Sequence, residues 1–474
     1  MIYRDYGNAG DKVSIIGFGT SRLSGEMGSN VKLVEKALEE GINYFDTAPT
    51  YASGMSERIL GMAFKNNPQK DIYVVSKSML SADPTADDVL RRIEASLDTM
   101  HLEKINYFHM WSVLNLEQYQ RIIAHGGPYE GALRAKEQGL IEHICFSAHC
   151  DGEEVKQIIS DGLFDGVTLG FNALNYRHRL SGIKYAYEKG LGIAIMNPLA
   201  GGLIPRNPDS FQALQQPGYT IAQSALQFVM AHKEISTVLV GVANENDLYE
   251  ALQAMDNADE AEESFWHEKA DSILIPKEPL CTMCNYCKGC PQNIAIDRVM
   301  GGFNEYILSD YDEDHFHKWR KMFYGEYPFE TFPCIKCRRC EVKCTQHLPI
   351  MNRIEKLNSI CEKEAASQKK LCDKYFPNNG YPITGIYGLS IDAETLIKAY
   401  QYFYHKIPDD VYFFDSNSAK WGTQVLDTGK VVHNPRDIMA LGIKRIIISA
   451  RKYEKEIRDY LKQYTTEDVE IHAL

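Results

Sequence analysis

Eight of the twelve cysteines fall in two tight runs. The first is Cys281-Thr282-Met283-Cys284-Asn285-Tyr286-Cys287-Lys288-Gly289-Cys290, and the second is Cys334-Ile335-Lys336-Cys337-Arg338-Arg339-Cys340-Glu341-Val342-Lys343-Cys344. Thiolates separated by two residues converge on one metal centre, because the chain between them turns back within a single loop. Three such cysteines wrap three irons of a cubane, and a fourth, displaced in sequence, reaches a second one. The alternative is a pair of four-cysteine zinc sites. Structural zinc usually pairs two C-x2-C units about 15–20 residues apart. Here each run packs four cysteines together and then repeats, which favours two 4Fe-4S clusters. Spacing does not say whether such clusters carry electrons or only staple the fold. Cys145, Cys150, Cys361 and Cys372 stand singly and read as buried or incidental thiols.

The second run has the x2, x2, x3 spacing of two-cluster ferredoxins, with Thr345 where that pattern has Pro. The first run keeps Pro291, but its last gap is x2. In the ferredoxin pattern the fourth cysteine serves the other cluster. That pattern implies one cluster on Cys281, Cys284, Cys287 and Cys344, and another on Cys334, Cys337, Cys340 and Cys290.

A second set of reactive residues lies in the first half. Asp46, Tyr51, Lys77 and His109 each sit at, or just beyond, the end of a short apolar run. A Lys beside an Asp forms an ion pair, and its charge is expected to lower the pKa of a nearby phenol. A tyrosine so tuned protonates a developing alkoxide. A histidine hydrogen-bonds the same oxygen and orients the carbonyl. Hydride would come from a nicotinamide cofactor. Singly, each residue is an ordinary strand-end polar group. In this order, the four point to carbonyl chemistry.

The elements that must position them alternate. Strands are expected at Val13–Gly17, Ile42–Asp46, Ile72–Ser76, Ile105–His109, His143–Ser147, Gly166–Leu169, Gly192–Met196 and Thr237–Gly241. Amphipathic helical stretches such as Asn30–Glu40, Met55–Phe64, Ala86–Thr99 and Ile221–Ala231 separate them. Such alternation predicts parallel strands joined by helical crossovers. Eight strands fit a closed (β/α)8 TIM barrel, which displays its working residues at the C-terminal strand ends. A doubly wound open sheet is the weaker alternative, since no glycine-rich fingerprint follows the first strand.

The pieces Val13-Ser-Ile-Ile-Gly-Phe-Gly-Thr20, Gly41-Ile-Asn-Tyr-Phe-Asp-Thr-Ala-Pro-Thr-Tyr51, Ser56-Glu57 with Leu60-Gly61, and Ser76-Lys77 resemble the aldo/keto reductase family over roughly residues 1–260. The resemblance implies that Asp46, Tyr51, Lys77 and His109 form the catalytic tetrad, with Tyr51 as general acid. It implies that Gly19 and Thr20 lie beside the nicotinamide ribose and that Ser147 and Asn172 hold the carboxamide. Met196 or Asn197 stands where family members often stack an aromatic ring. The loop from Gly241 through Asn244 to Leu248 would cover the adenosine end. Family members often grip a 2′-phosphate there with basic residues. Here the loop reads Asn244, Glu245, Asn246, Asp247, with no Lys or Arg. Acidic groups repel a 2′-phosphate and accept from a ribose 2′-OH, so within NAD(P)(H) the loop favours NADH. The cysteine region resembles the ferredoxin-type 4Fe-4S extension of one branch of that family.

These readings divide the chain into a barrel (1–258), a mainly helical two-cluster ferredoxin-like domain (259–368) and a small Rossmann-like α/β unit (369–474). The middle part shows little apolar sequence of its own, so the clusters would cross-link it. In the last part, Ile383–Tyr387, Val411–Asp415 and Arg445–Ser449 read as strands, with Ala393–His405 and Tyr453–Gln463 as helices. Gly385-Ile-Tyr-Gly388 resembles a degenerate nucleotide loop, but lacks a third glycine. A docking module that binds nothing is the plainer reading.

The formal net charge of -13 argues against a nucleic-acid footprint. No apolar run is long enough to cross a membrane, and the start carries no secretory signal, so a cytoplasmic protein is expected. The expected partner is a small carbonyl or alcohol substrate, whose pocket Trp111 and the strand-end loops would line. A nicotinamide passes two electrons as hydride, whereas a cluster takes one. An external ferredoxin or flavoprotein partner would bridge that mismatch. The alternative is an iron–sulfur electron-transfer protein that uses the barrel as scaffold, or one whose electrons come from the clusters rather than NAD(P)H.

Overall fold

The computed structural model describes residues 1–474 apart from 69–70, 257–261, 274–277, 326 and 328. The expected boundary at 258–259 lies outside the described residues. The chain forms two compact units. One comprises Met1–Tyr286 with Lys343–Leu348, and the other comprises Cys287–Val342 with Pro349–Leu474.

In the first unit, eight parallel strands close into a barrel: β1 (Ile16–Gly19), β2 (Tyr44–Asp46), β3 (Tyr73–Met79), β4 (Ile105–Val113), β5 (Ile141–Ala148), β6 (Gly166–Gly170), β7 (Gly192–Met196) and β8 (Thr237–Gly241). The last strand pairs with the first, Val238 opposite Ile16 and Gly241 opposite Gly19, which excludes the open-sheet alternative. Helices between the strands start on strong caps. Thr85 and Asp88 make a reciprocal capping box, as do Thr220 and Gln223. Asp151 caps the helix Gly152–Ser160 by accepting from Glu153 and Glu154 amides.

The first strand differs from expectation. Val13 belongs to an antiparallel hairpin, Tyr3–Asp5 with Lys12–Ser14, that precedes the barrel. That hairpin delivers Tyr6 into the barrel, its ring 4.2 Å from that of Tyr107. A Cβ on Gly192 would come within 2.0 Å of the Tyr6 ring, and one on Gly166 within 2.6 Å of its hydroxyl. Two glycines at strand starts thus make room for a buried aromatic plug, and packing is complete without a pore.

The second unit holds helices Ile296–Leu308, Glu313–Tyr324 and Ile350–Tyr375 and a five-stranded parallel sheet. The sheet consists of β9 (Thr384–Tyr387), β10 (Val411–Phe414), β11 (Val432–His433), β12 (Arg445–Ile448) and β13 (Glu470–Ala473), in the order β11-β10-β9-β12-β13. The middle region has more core than its composition suggested. Val299, Met300, Phe303, Ile307, Phe316, Ile354, Leu357 and Ile360 are all buried. Their helices each present one apolar face, which a polar average conceals.

Candidate active site

The barrel brings the four proposed catalytic residues to its C-terminal end. Asp46 ends β2, and Lys77 and His109 lie opposite each other on β3 and β4. The Lys77 ammonium donates to Asp46 Oδ2 at 2.7 Å and to the Thr47 carbonyl at 2.7 Å. Both side chains of the pair are nearly inaccessible to water. Burial pushes the Asp46 carboxyl up and the Lys77 ammonium down, and each partner works against the other's shift.

Tyr51 sits on the turn that follows β2. Ala52 and Ser53, just after it, hold left-handed backbone at φ 48° and 57°. Such conformations are costly for non-glycine residues and collect at functional sites. The Lys77 ammonium lies 4.9 Å from the centre of the Tyr51 ring, and Trp111 packs edge-on to that ring at 5.4 Å. The expected lowering of the phenol pKa is reversed. Burial raises it well above 10, and Asp46 and Tyr286 add to the rise. The reason is local: the Lys77 charge is already paired with Asp46 at 2.7 Å, so little net positive field remains at the phenol. A phenol in this state stays protonated at neutral pH, as a general acid must.

His109 is fully buried, and its Nε2 is 3.0 Å from Thr168 Oγ1 on β6. Burial, then the nearby Lys77, hold its pKa well below 6.5 and keep the imidazole neutral. A layer of hydroxyls and carboxylates braces the site. Ser76 donates to Glu57 at 2.6 Å, and Ser56 sits 2.7 Å from Thr47 and donates to the Ala48 carbonyl. These are the residues of the short sequence pieces quoted above, and their work is to hold β2 and β3 in place.

Gly19, Thr20, Ser147, Met196 and Gly241 all reach the same barrel end, with Asn172 just beyond β6. Thr20 spends its hydroxyl on the Asp46 carbonyl at 2.9 Å. Ser147 Oγ accepts from the Ser112 amide, which leaves its own proton to donate. Asn172 donates to the Asn197 carbonyl and accepts from the Leu174 amide, so it braces the loop after β7. Asn244 caps the helix Glu245–Gln253 by accepting from the Asp247 amide. A basic residue comes from elsewhere: a Cβ on Gly241 would lie 2.6 Å from Arg22 Cγ, so the Arg22 stem runs across the end of β8. A hydroxyl proton at Ser147 and a guanidinium at Arg22 suit a nicotinamide dinucleotide's carboxamide and phosphates.

The cysteine runs repeat one backbone conformation. Met283 and Asn285 have positive φ, as do Lys336 and Arg338 at the corresponding places in the second run. In each run the amide two residues on donates to the first sulfur, Met283 to Cys281 at 3.3 Å and Lys336 to Cys334 at 3.4 Å. Amide donors of this kind are the ones a metal-bound sulfur accepts. In the second unit, Cys290, Cys334, Cys337 and Cys340 line one cavity, together with Cys287. The first unit holds Cys281, Cys284 and Cys344, with Cys284 Sγ 3.4 Å from Thr345 Oγ1. Cys145, Cys150, Cys361 and Cys372 are buried.

The sequence reading missed Thr168, Arg22 and above all Tyr286. The first two lie far along the chain from the residues they meet. Tyr286 sits inside a motif whose spacing speaks only of its cysteines. In the structure the Trp111 indole donates to the Tyr286 hydroxyl at 3.1 Å, inside the barrel unit.

The aldo/keto reductase family model matches residues 15–267. The chain belongs to the aldo/keto reductase family. Its curated relatives include L-galactose dehydrogenase of Arabidopsis thaliana, 28% identical over 53% of this chain and 87% of that protein. Another is the uncharacterized oxidoreductase YqkF of Bacillus subtilis, 21% identical over 54% of this chain and 91% of that protein. Among solved structures, the holo form of the aldo-keto reductase AKR11C1 from Bacillus halodurans is 20% identical, covering 58% of this chain and 96% of that one, with a TM-score of 0.50. The thermostable aldo-keto reductase Tm1743 is 21% identical, covers 58% of this chain and all of that one, and also scores 0.50. The likeness to these two is one of fold. As a member of the family the chain is an oxidoreductase enzyme, and the family implies a nicotinamide cofactor. The family match ends at 267, ahead of both cysteine runs.

Proposed function

We propose that this reductase interconverts a carbonyl and an alcohol at Tyr51, and that it carries two 4Fe-4S clusters on its cysteine runs. The reading rests on the buried Lys77–Asp46 pair at 2.7 Å beneath the Tyr51 ring. A bound nicotinamide supplies or accepts the hydride. Tyr51 donates a proton to the substrate oxygen as negative charge develops on it, and takes one back in the reverse direction. Lys77, held by Asp46 and the Thr47 carbonyl, lies against the Tyr51 ring at 4.9 Å and keeps that ring in place. Neutral His109, on the next strand, orients the carbonyl, and Thr168 fixes its ring. Tyr51→Phe removes the proton and leaves the ring. It should lower kcat by about 10²–10⁴-fold, the usual weight of general acid catalysis, with the fold intact. Unchanged turnover would overturn the assignment.

Acidic Glu245 and Asp247 in the first turn of Glu245–Gln253 support NADH over NADPH. Titration with both nucleotides tests that preference, and affinity for neither would favour the electron-transfer reading with the barrel as scaffold. For the clusters, one cavity gathers Cys290 with Cys334, Cys337 and Cys340, as the crossed ligand set requires, although Cys287 also lines it. Cys281, Cys284 and Cys287 with Cys344 would hold the other. A bound cluster supplies one-electron chemistry. We further assign 1–258 to the reductase barrel, 259–368 to the cluster domain and 369–474 to a small Rossmann-like α/β unit.

A further inference from the structure

The segment Leu280–Tyr286 leaves the barrel's last helix in sequence and returns to its active end. Thr282 seats its carbonyl on Gly201, where a Cβ would lie only 2.1 Å from the Thr282 oxygen. Arg206, on the same loop after β7, reaches Met283 Sδ at 3.7 Å. Tyr286 then places its ring 5.1 Å from that of His149, edge to face, in the loop after β5. Its hydroxyl accepts from the Trp111 indole at 3.1 Å, and Trp111 in turn packs on Tyr51 at 5.4 Å. Two loops and strand β4 of the barrel therefore receive this short segment, each through a specific contact. Contacts run from the proposed acid Tyr51 through Trp111 to Tyr286 in the first cysteine run.

We infer that Tyr286 is a specificity-determining residue of the carbonyl site, closing its outer wall so that the pocket takes compact, hydroxyl-bearing carbonyl compounds and turns away bulky aromatic ones. The inference rests on the carbonyl reading of the site. A substrate within reach of Tyr51 must share the space beside Trp111 with the Tyr286 ring. That wall offers the Trp111 and Tyr286 rings together with the phenol oxygen of Tyr286, which the Trp111 indole holds in place. Aromatic faces cover the C–H sides of a small polyhydroxylated molecule, and the polar tips hydrogen-bond its hydroxyls. A fused aromatic ring meets only the wall. The cysteine run, on this account, supplies a piece of the reductase pocket as well as thiolates.

The test uses the full chain, purified anaerobically, with glyceraldehyde and 2-naphthaldehyde as the two carbonyls. Both are measured by turnover and by calorimetric binding to the nicotinamide-loaded protein. Wild type should favour glyceraldehyde. Tyr286→Ala should shift the selectivity ratio toward 2-naphthaldehyde by about tenfold or more, the usual reach of a size change in an apolar pocket. Tyr286→Phe keeps the ring, so it should keep the size preference and raise KM for glyceraldehyde more than it changes kcat. Equal affinity of 2-naphthaldehyde for wild type and Tyr286→Ala, at unchanged iron content, overturns the inference. Turnover that survives Tyr51→Phe instead overturns the carbonyl reading, and the binding ratio still judges Tyr286.

Discussion

At the residue scale the site is a balance of burial against pairing. Asp46 and Lys77 are costly to bury singly, and each makes the other tolerable. Lys77→Met should therefore damage two things at once. It removes the ammonium beside Tyr51, and it leaves a buried carboxylate unpaired, a loss of about 3–5 kcal/mol by comparison with other broken buried pairs. Thermal denaturation would read the second effect, whereas Tyr51→Phe should leave the melting temperature nearly unchanged. The Tyr51 phenol also makes a pH prediction. Its pKa is raised above 10, so it stays protonated from neutral pH up to that value. Carbonyl reduction should show no loss from this group across that range, and a falling limb assigned to Tyr51 near neutrality would contradict the burial argument. The barrel-end placement of the four proposed residues was legible because Asp46, Lys77 and His109 each close an apolar run and Tyr51 follows in the next loop. The direction of the Tyr51 shift was not, because it depends on how completely Asp46 consumes the Lys77 charge.

At the element scale the barrel strands were legible because short apolar runs alternate with amphipathic helices. The first strand was misplaced because Val13 and Ile16 belong to one apolar stretch that the chain splits between a hairpin and the barrel. β11 and β13 went unread for a different reason. β11 has only two residues, and β13 is nowhere fully buried, so neither leaves an apolar run. Close backbone approaches are also invisible in sequence. Gly61 shows this: a Cβ there would lie 2.7 Å from the Met100 carbonyl. Gly61→Ala should cost about 1–3 kcal/mol by forcing helices Ser56–Asn66 and Ala86–Met100 apart. Gly201→Ala should act differently. It sets a side chain at φ 69° and against Thr282, so it should displace the cysteine run and move carbonyl selectivity the same way as Tyr286→Ala. A Gly201→Ala enzyme with wild-type selectivity would argue that the run does not depend on that contact.

At the scale of the whole molecule, buried histidines contribute to the loss of stability in acid. Burial holds His149 down to about 3 and His317 down to about 4, from an ordinary 6.5. The unfolded chain therefore binds protons that the folded chain refuses. Stability from these groups is complete above about 6.5 and is lost as the pH falls toward 4 and below. Melting temperature should fall over that window. A flat profile would mean that both rings are solvated in the folded state. None of the described helices is long and apolar enough to cross a membrane. The cluster assignment makes a whole-chain prediction too. Anaerobic protein should carry about eight irons, the sum of two four-iron cubanes, and Cys334→Ala with Cys337→Ala should remove about half of them.

The most direct test of the central claim is the fate of the nicotinamide hydride. Protein loaded with NADH deuterated at C4 should transfer the label to the carbonyl carbon of its substrate, one label per product, with the rate lost in Tyr51→Phe. Product without deuterium, formed at the same rate by wild type and Tyr51→Phe, would show that the electrons come from elsewhere and would contradict the account.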